Sequence, residues 1–152
     1  MKLCILGGGL TGLSLAKSLV KKGLSIDIFL NKKKSDFNRT RTIGISNDNL
    51  MFFNKEILEI KKLFWNIKKI EIYSDNLRNE KILNFENNNK TVFAIIRNYQ
   101  LQSKLLKSLK KDKLCKFKQN FNYNLSNLKK YKLIINCEND NYFSKKFFAR
   151  SL

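Results

Sequence analysis

A short apolar strand runs directly into a glycine turn at the start of the chain. Gly7, Gly9 and Gly12 have the spacing G-x-G-x-x-G, and residues 13–20 continue with helical periodicity. A dinucleotide-binding βαβ unit needs this order, because the three glycines allow a tight turn, close approach of a pyrophosphate and close packing of the helix on the sheet. The first N–H groups of the helix would then face the phosphates.

The residues around the turn predict an α/β fold. An almost continuous apolar run over 2–6 is typical of a buried parallel strand, and an apolar stripe follows on a helix over 10–22. Gly23 suits the end of that helix. Residues 25–30 alternate in polarity and complete the βαβ unit as a second strand.

The middle of the chain is predicted to be rich in β-strands. Ser46 is a good N-cap for a helix over 47–63 that a break near Asn54 would interrupt. The later predictions are a hairpin of strands 67–74 and 81–85, a strand 91–96, a helix 99–109 and strands 114–118 and 132–136, with no assignment for 142–150. We therefore divide the chain into a βαβ unit with its loop (1–45), a helix and hairpin-rich insertion (46–97), and a return to the parallel sheet (98–152).

The net charge of +19 raises the question of a nucleic-acid partner. Proteins that read nucleic acids favour arginine for bidentate contacts, whereas most of the charge here comes from lysine. The arginines are Arg39, Arg41, Arg78, Arg97 and Arg150. Lysine and asparagine have AT-only codons, so an AT-rich genome accounts for this composition, and we expect no nucleic-acid partner.

The three cysteines, Cys4, Cys115 and Cys137, are far apart in apolar strands, and the chain has no histidine. Isolated cysteines of this kind are more often core residues than redox or metal groups, so we expect a reduced, cytoplasmic protein without a metal site. The opening apolar stretch is too short for a membrane span and is not a signal peptide. The lysines leave open a peripheral association with the inner face of a membrane.

Four motifs in order resemble the N-terminal half of the FAD-dependent aromatic hydroxylases of the p-hydroxybenzoate hydroxylase type. The first two are the glycine turn and the segment 41–46, which reads Arg-Thr-Ile-Gly-Ile-Ser before a helix. The third is Trp65 before a strand, with Asn66 in place of the family's proline, and the fourth is the segment 95–98 followed by the helix over 101–109. Within this group the chain is most similar to the ubiquinone-biosynthesis hydroxylases.

The resemblance implies a Rossmann-like FAD-binding domain and a set of cofactor contacts. Gly7, Gly8, Gly9, Leu10, Thr11 and Gly12 would hold the pyrophosphate, Arg41 would contact the cofactor phosphates or approach the ring, and Gln100 would hydrogen-bond the flavin. An exposed loop position for Arg41 and a solvated helix position for Gln100 are the alternatives. In this family the flavin, reduced by NAD(P)H, carries the oxygen chemistry, so no catalytic side chain is expected.

Three departures from the family pattern limit what the chain is expected to do. The acidic residue that accepts the ribose hydroxyls is replaced by Leu30, so Asn31 would have to make that contact. The family's Ala-Asp-Gly-x-x-Ser motif matches Asp140 and Ser144, but Asn141 stands in the glycine position, where its tolerance of positive φ predicts that the turn survives in weakened form. The family's later Gly-Asp motif falls beyond residue 152, so the chain is expected to be truncated relative to the full fold and inactive alone.

Proteins of two other functional classes would carry the same motifs. A flavin-dependent dehydrogenase or reductase has the same fold, because the residues that would discriminate it face the substrate. A degenerate, non-catalytic fragment without flavin is the second alternative. For the hydroxylase, the expected partners are a small aromatic or quinone-precursor substrate and a partner chain or C-terminal half that completes the fold.

Overall fold

The computed structural model describes residues 2–30, 39–75, 78–119, 121 and 129–148. The chain forms two compact units, which we name the glycine-turn unit (Met1–Phe37 and Gln102–Leu152) and the antiparallel unit (Asn38–Leu101). Among the described residues, no helix is long and apolar enough to cross a membrane.

The glycine-turn unit is built on a four-stranded parallel sheet. Its strands are β1 (Lys2–Leu6), β2 (Ser25–Leu30), β8 (Cys115–Gln119) and β9 (Leu133–Asn136), in the spatial order β8-β2-β1-β9. Numbered within the unit alone, this order is 3-2-1-4, the arrangement of a dinucleotide-binding sheet. The predicted α/β class and parallel sheet are confirmed.

The two faces of this sheet have different coverings. Helix α1 (Leu10–Lys21) lies over the face that carries Ile5, and it buries Leu13, Ala16 and Val20. On the other face, Cys4 and Leu6 pack with Tyr131, and further aromatic rings lie against this cluster. Both faces are therefore buried, which explains the continuous apolar run in β1.

The antiparallel unit contains two small sheets. Strands β3 (Thr42–Ser46), β7 (Phe93–Arg97) and β4 (Phe64–Ile67) form one sheet in the order β3-β7-β4, and β5 (Lys69–Tyr73) pairs with β6 (Lys81–Glu86) in a hairpin. The predicted hairpin is confirmed, although β3 and β4 were not predicted as strands. The strand predicted over 67–74 is divided, because β4 pairs with β7 and β5 pairs with β6.

The helix predicted over 47–63 is shorter in the structure. Helix α2 (Asn47–Phe52) begins at Ser46, whose hydroxyl accepts a hydrogen bond from the Asn49 N–H at 3.4 Å, and a π-helical turn (Phe53–Ile57) follows. Leu58 then becomes extended, and the Asn54 side chain accepts a hydrogen bond from the Ile60 N–H at 2.8 Å. Such side-chain to backbone bonds compete with the helix, so the predicted break is found and the predicted length is wrong.

The last two helices are α3 (Asn98–Lys110) and α4 (Tyr142–Phe148). Helix α3 buries Leu101, Leu105 and Leu109, which lie at a spacing of four residues on one face. Helix α4 occupies most of the segment that the sequence left unassigned.

Candidate dinucleotide site

The glycine turn leaves β1 in a conformation that requires glycine at its first position. Gly7 has φ +116°, and its N–H donates to the Phe29 carbonyl oxygen at 3.0 Å. A Cβ at this position would lie 3.1 Å from the Cys137 carbonyl oxygen and 2.8 Å from Glu138 Cγ. Both the backbone conformation and the space at the end of β9 therefore exclude a side chain here.

Gly12 brings helix α1 against the turn. A Cβ on Gly12 would overlap the Gly7 carbonyl oxygen and would lie 3.3 Å from Ile5 Cγ2. Because the obstructing atom belongs to the backbone, the helix could not stay where it is with any larger residue. The predicted role of this glycine in close packing of helix and sheet is consistent with this geometry.

Gly9 has the opposite environment. It is the N-cap of α1, no side chain caps the helix there, and a Cβ built on it would have no atom within 4 Å. The first-turn N–H groups of Leu10, Thr11 and Gly12 have no partner four residues earlier within the helix. This open helix N-terminus, which carries no acidic residue in its first turn, fits a pyrophosphate.

Gly8 connects the turn to two side chains. A Cβ on Gly8 would overlap Leu30 Cδ2, and the Gly8 carbonyl oxygen accepts a hydrogen bond from the Gln102 side-chain nitrogen at 2.7 Å. The residue predicted on helix α3 was Gln100, and the contact made by Gln102 was not predicted. Gln100 and Gln102 both flank buried Leu101, so the sequence carries no signal that separates them.

The adenosine end of the predicted site lacks an acidic side chain at the expected position. Leu30 ends β2, is half-buried and lies against Gly8, so an aliphatic group occupies the place of the ribose acceptor. Asn31, the predicted substitute, lies outside the described residues. The residues present therefore fit a pyrophosphate better than they fit the neighbouring ribose.

The nearest acid on β2 has another role. Asp27 is fully buried and its Oδ2 lies 3.0 Å from Lys2 Nζ, 2.6 Å from Lys118 Nζ and 2.7 Å from the Tyr131 hydroxyl. Burial acts to raise the pKa of Asp27, but the hydrogen bonds from Lys118, Tyr131 and Lys2 outweigh it and hold the pKa below its usual value. Asp27 therefore stabilises one face of the sheet and does not replace the ribose acceptor.

Arg41 and Gln100 belong to the antiparallel unit. Arg41 is exposed, and its carbonyl oxygen accepts a hydrogen bond from the Asn98 N–H at 3.0 Å. Gln100 is half-buried in the first turn of α3. Their assigned contacts with a cofactor remain predictions.

A polar network follows the carboxyl end of β9. The Asn136 and Asn141 side chains bond to each other at 2.6 Å, and Ser144 Oγ donates to the Glu138 carbonyl oxygen at 2.7 Å. The Asn141 side chain also accepts from the Ser144 N–H at 3.0 Å, as a helix N-cap does. Asn141 is not among the residues with positive φ, so its predicted use of that conformation is wrong, and capping of α4 explains the residue instead.

The glycine turn and this network lie at adjacent strand ends. Strand order reverses between β1 and β9, and ligands of open α/β sheets bind in the crevice outside the carboxyl ends of strands at such a switch point. A Cβ on Gly7 would lie only 3.1 Å from the Cys137 carbonyl oxygen, so the glycine turn and the segment after β9 lie side by side at that crevice. The site therefore combines an open helix N-terminus with the location that this sheet topology favours.

The cysteine thiols are poor candidates for chemistry. Burial raises the pKa of Cys4 to about 12 and that of Cys115 to about 11, so both thiols are protonated at neutral pH. Among the residues described, no three acidic or cysteine side chains form a cluster that could hold a metal ion.

Comparison with known proteins identifies the fold. No protein-family model matches the sequence, and no curated protein is similar enough to match it. Solved structures that match include p-nitrophenol 4-monooxygenase PnpA from Pseudomonas putida, with a TM-score of 0.64, 14% identity and coverage of 78% of this chain and 31% of that chain. Pseudomonas aeruginosa PqsL in complex with 2-aminobenzoylacetate has a TM-score of 0.62, 14% identity and coverage of 78% and 33%.

A third match is Klebsiella pneumoniae HpxO complexed with FAD and uric acid, with a TM-score of 0.57, 18% identity and coverage of 77% and 30%. The chain thus has a fold found in FAD-dependent monooxygenases. It spans about a third of the length of the solved structures that it matches.

Proposed function

We propose that this chain binds FAD through the glycine turn and forms the flavin-binding portion of an FAD-dependent monooxygenase that hydroxylates aromatic rings. The observation that carries the proposal is the space at Gly9, where the uncapped N-terminus of α1 opens toward the crevice of a 3-2-1-4 sheet. The FAD complex of a protein with the same fold supports the choice of cofactor.

The chain's own residues would bind and position the cofactor. The N–H groups of Leu10, Thr11 and Gly12 would bind the pyrophosphate, and Gln102 would hold the Gly8 peptide in the orientation that shapes the turn. When bound, the flavin would supply redox chemistry with oxygen after reduction by NAD(P)H. The substrate would be a small aromatic compound, and the sequence resemblance favours a quinone precursor of ubiquinone biosynthesis in the cytoplasm or at the inner membrane face.

Titration calorimetry with ADP and FAD tests the proposal. Gly9→Val keeps an allowed backbone conformation, since Gly9 has φ −74° and ψ 176°, but it fills the space that the phosphates need. We expect binding to weaken by at least about tenfold, or about 1.4 kcal/mol, while the thermal melting curve stays close to that of the parent. Gly44→Ala is the matched control, because its Cβ would meet only Phe93 Cδ1 at an ordinary 3.7 Å. Equal affinity in the parent and Gly9→Val would contradict the assignment.

The neutral side chain of Leu30 supports one alternative function. In this alternative, the chain is a non-catalytic protein that does not retain flavin. A neutral side chain at the ribose position removes a charge-assisted hydrogen bond, so FAD would dissociate during purification. The visible absorption spectrum of the purified chain after dialysis against FAD distinguishes the two candidates. Flavin bands that stay with the protein support the proposed function, and a colourless protein supports the alternative.

A further inference from the structure

The last residues of β2 and β8 lie side by side at the carboxyl edge of the parallel sheet. The register pairs Leu30 with Gln119, and one position earlier it pairs Phe29 with Lys118. Neighbouring strands are about 4.8 Å apart, so a long side chain at one strand end reaches the space beside the other. The position at which a dinucleotide-binding sheet carries its ribose acceptor therefore has Gln119 as its neighbour across the sheet.

The side chains of β8 are divided between the two faces of the sheet. Lys118 Nζ lies 2.6 Å from Asp27 Oδ2 and 5.8 Å from the centre of the Phe29 ring. Both of these partners lie on the face that packs with Tyr131. Because successive side chains of a strand point to opposite faces, Gln119 is directed to the other face, which helix α1 covers.

Leu30 shares the α1 face with Gln119. A Cβ built on Gly8 would overlap Leu30 Cδ2, so the Leu30 side chain reaches the glycine turn that precedes α1. Gly8, Leu30 and Gln119 thus follow one another along the carboxyl edge, from β1 through β2 to β8. Leu30 has no hydrogen-bonding group in its side chain, whereas the exposed Gln119 amide has an acceptor oxygen and two donor hydrogens.

A dinucleotide with its pyrophosphate at the N-terminus of α1 places its adenosine ribose at the end of β2. The ribose hydroxyls need an acceptor there, and Leu30 supplies none. Gln119 is the described side chain in register with Leu30, and it is polar. Its carboxamide oxygen accepts from a hydroxyl without adding a negative charge near the phosphates.

We propose that Gln119 is the residue that recognises the adenosine ribose of the bound dinucleotide. The proposal rests on the proposed function, because it requires a dinucleotide at the glycine turn. The Gln119 carboxamide oxygen accepts a hydrogen bond from a ribose hydroxyl and so takes the role of the carboxylate that is absent at Leu30. Because the amide is neutral, this hydrogen bond is weaker than the charge-assisted one that it replaces.

Titration calorimetry with ADP, 2′-deoxy-ADP and 3′-deoxy-ADP tests this contact. The parent should bind ADP about three- to tenfold more tightly than at least one of the deoxy analogues, as expected for one neutral hydrogen bond. Gln119→Leu keeps the approximate size of the side chain and removes the amide, so ADP should bind about three- to tenfold more weakly and lose its advantage over that analogue. A variant that keeps the parent's preference for ADP would overturn the proposal, because a merely structural role weakens all three ligands alike.

Two other variants of β8 sharpen the test. Gln119→Glu supplies a carboxylate, so it should bind ADP about tenfold more tightly than the parent and enlarge the preference over the deoxy analogue. Lys116→Leu is the control, because Lys116 is exposed and lies three residues earlier on the opposite face of the sheet. The loss of a positive charge there affects the three nucleotides alike and should leave the preference unchanged. Weaker ADP binding by Gln119→Glu, or loss of the preference in Lys116→Leu, would overturn the assignment of the ribose to Gln119.

The titrations separate failure of this contact from failure of the proposed function. ADP binding that weakens in Gly9→Val but keeps its ribose preference in Gln119→Leu would support the pyrophosphate site and overturn the role of Gln119 alone. A parent chain that binds none of the three nucleotides would contradict both proposals.

Discussion

The central strands of the glycine-turn unit and the hairpin of the antiparallel unit bury their apolar residues to very different extents. In the first, Leu3, Ile5, Ile26 and Ile28 are almost inaccessible to solvent, whereas all of β6 in the second is exposed. Register places Ile72 opposite Leu83 on one face of the hairpin, and these side chains are 43% and 48% exposed. The central strands β1 and β2 of the first unit are largely buried, whereas a two-stranded hairpin with one uncovered face gains little stability of its own.

Two carboxylates show the same contrast. Asp27 and Glu71 each contact two lysines, but the Asp27 side chain is fully buried and the Glu71 side chain is 24% exposed. The hydrogen bonds from Lys81 and Lys69 lower the pKa of Glu71 to about 2. Solvent screens an exposed ion pair. Two carboxylates that each contact two lysines can therefore contribute differently to stability.

The largest effect is expected from Gly12→Val, which tests the close packing in the glycine-turn unit. The new side chain would collide with the Gly7 carbonyl oxygen, so the free energy of unfolding should fall by about 3–5 kcal/mol. Urea denaturation followed by circular dichroism measures this change. Gly44→Ala in the antiparallel unit is the control and should change stability by less than about 1 kcal/mol. Similar losses in both variants would remove the contrast between the units.

The next largest effect is expected from Asp27→Ala. Removal of the buried carboxylate leaves Lys2, Lys118 and the Tyr131 hydroxyl without their shared acceptor. Both lysines are about a third exposed, so water compensates in part, and we expect a loss of about 2–3 kcal/mol in the free energy of unfolding. Glu71→Ala is the matched control in the antiparallel unit and should cost clearly less in the same urea titration.

The same carboxylate predicts a dependence on pH. Because the folded pKa of Asp27 lies below its unfolded value near 3.8, its contribution is complete above that value and is lost as the pH falls through the folded pKa. The free energy of unfolding of the parent should therefore fall more steeply between about pH 5 and pH 2 than that of Asp27→Asn. Parallel curves for the two proteins would mean that Asp27 titrates alike in both states.

A smaller effect is expected from Leu30→Glu, which restores an acid at the end of β2. The carboxylate would accept hydrogen bonds from the ribose hydroxyls, so ADP and FAD should bind about tenfold more tightly. Leu30→Gln separates charge from shape and should give a smaller gain. Unchanged affinity in a calorimetric titration of Leu30→Glu would show that the ribose does not lie at this strand end.

The smallest effect is expected in the uncovered hairpin. Leu83→Thr replaces a side chain that is about half exposed and keeps a residue that favours strands, so stability should change by no more than about 0.5 kcal/mol. The control is Leu105→Ala, which removes a fully buried side chain and should cost about 2–5 kcal/mol. A large loss in Leu83→Thr would show that the hairpin face is covered in solution.

Much of the glycine-turn unit could be predicted because its signals are local. β1 and β2 have the predicted bounds, and the spacing from Gly7 to Gly12 places both glycines where a Cβ is excluded. The antiparallel unit was harder to predict. β3 and β4 are recognisable only through their shared partner β7, and nothing within Phe64–Ile67 specifies that pairing.

Gln102 was not predicted for the same reason, because its contact depends on a distant segment. Gln100 and Gln102 lie two positions apart on α3, so helical geometry directs them to different sides, and the sequence does not specify which side meets the turn. Only the assembled unit places the Gln102 amide against the Gly8 carbonyl oxygen, across 94 residues of chain.

The sequence by itself determined the βαβ unit, the glycine turn and the absence of an acid at Leu30, because each depends on residues that are neighbours along the chain. The tertiary structure decided the strand order β8-β2-β1-β9 and the burial of Asp27 among Lys2, Lys118 and Tyr131. These features depend on contacts between distant segments. Local propensity and periodicity carry no information about which distant segments will meet.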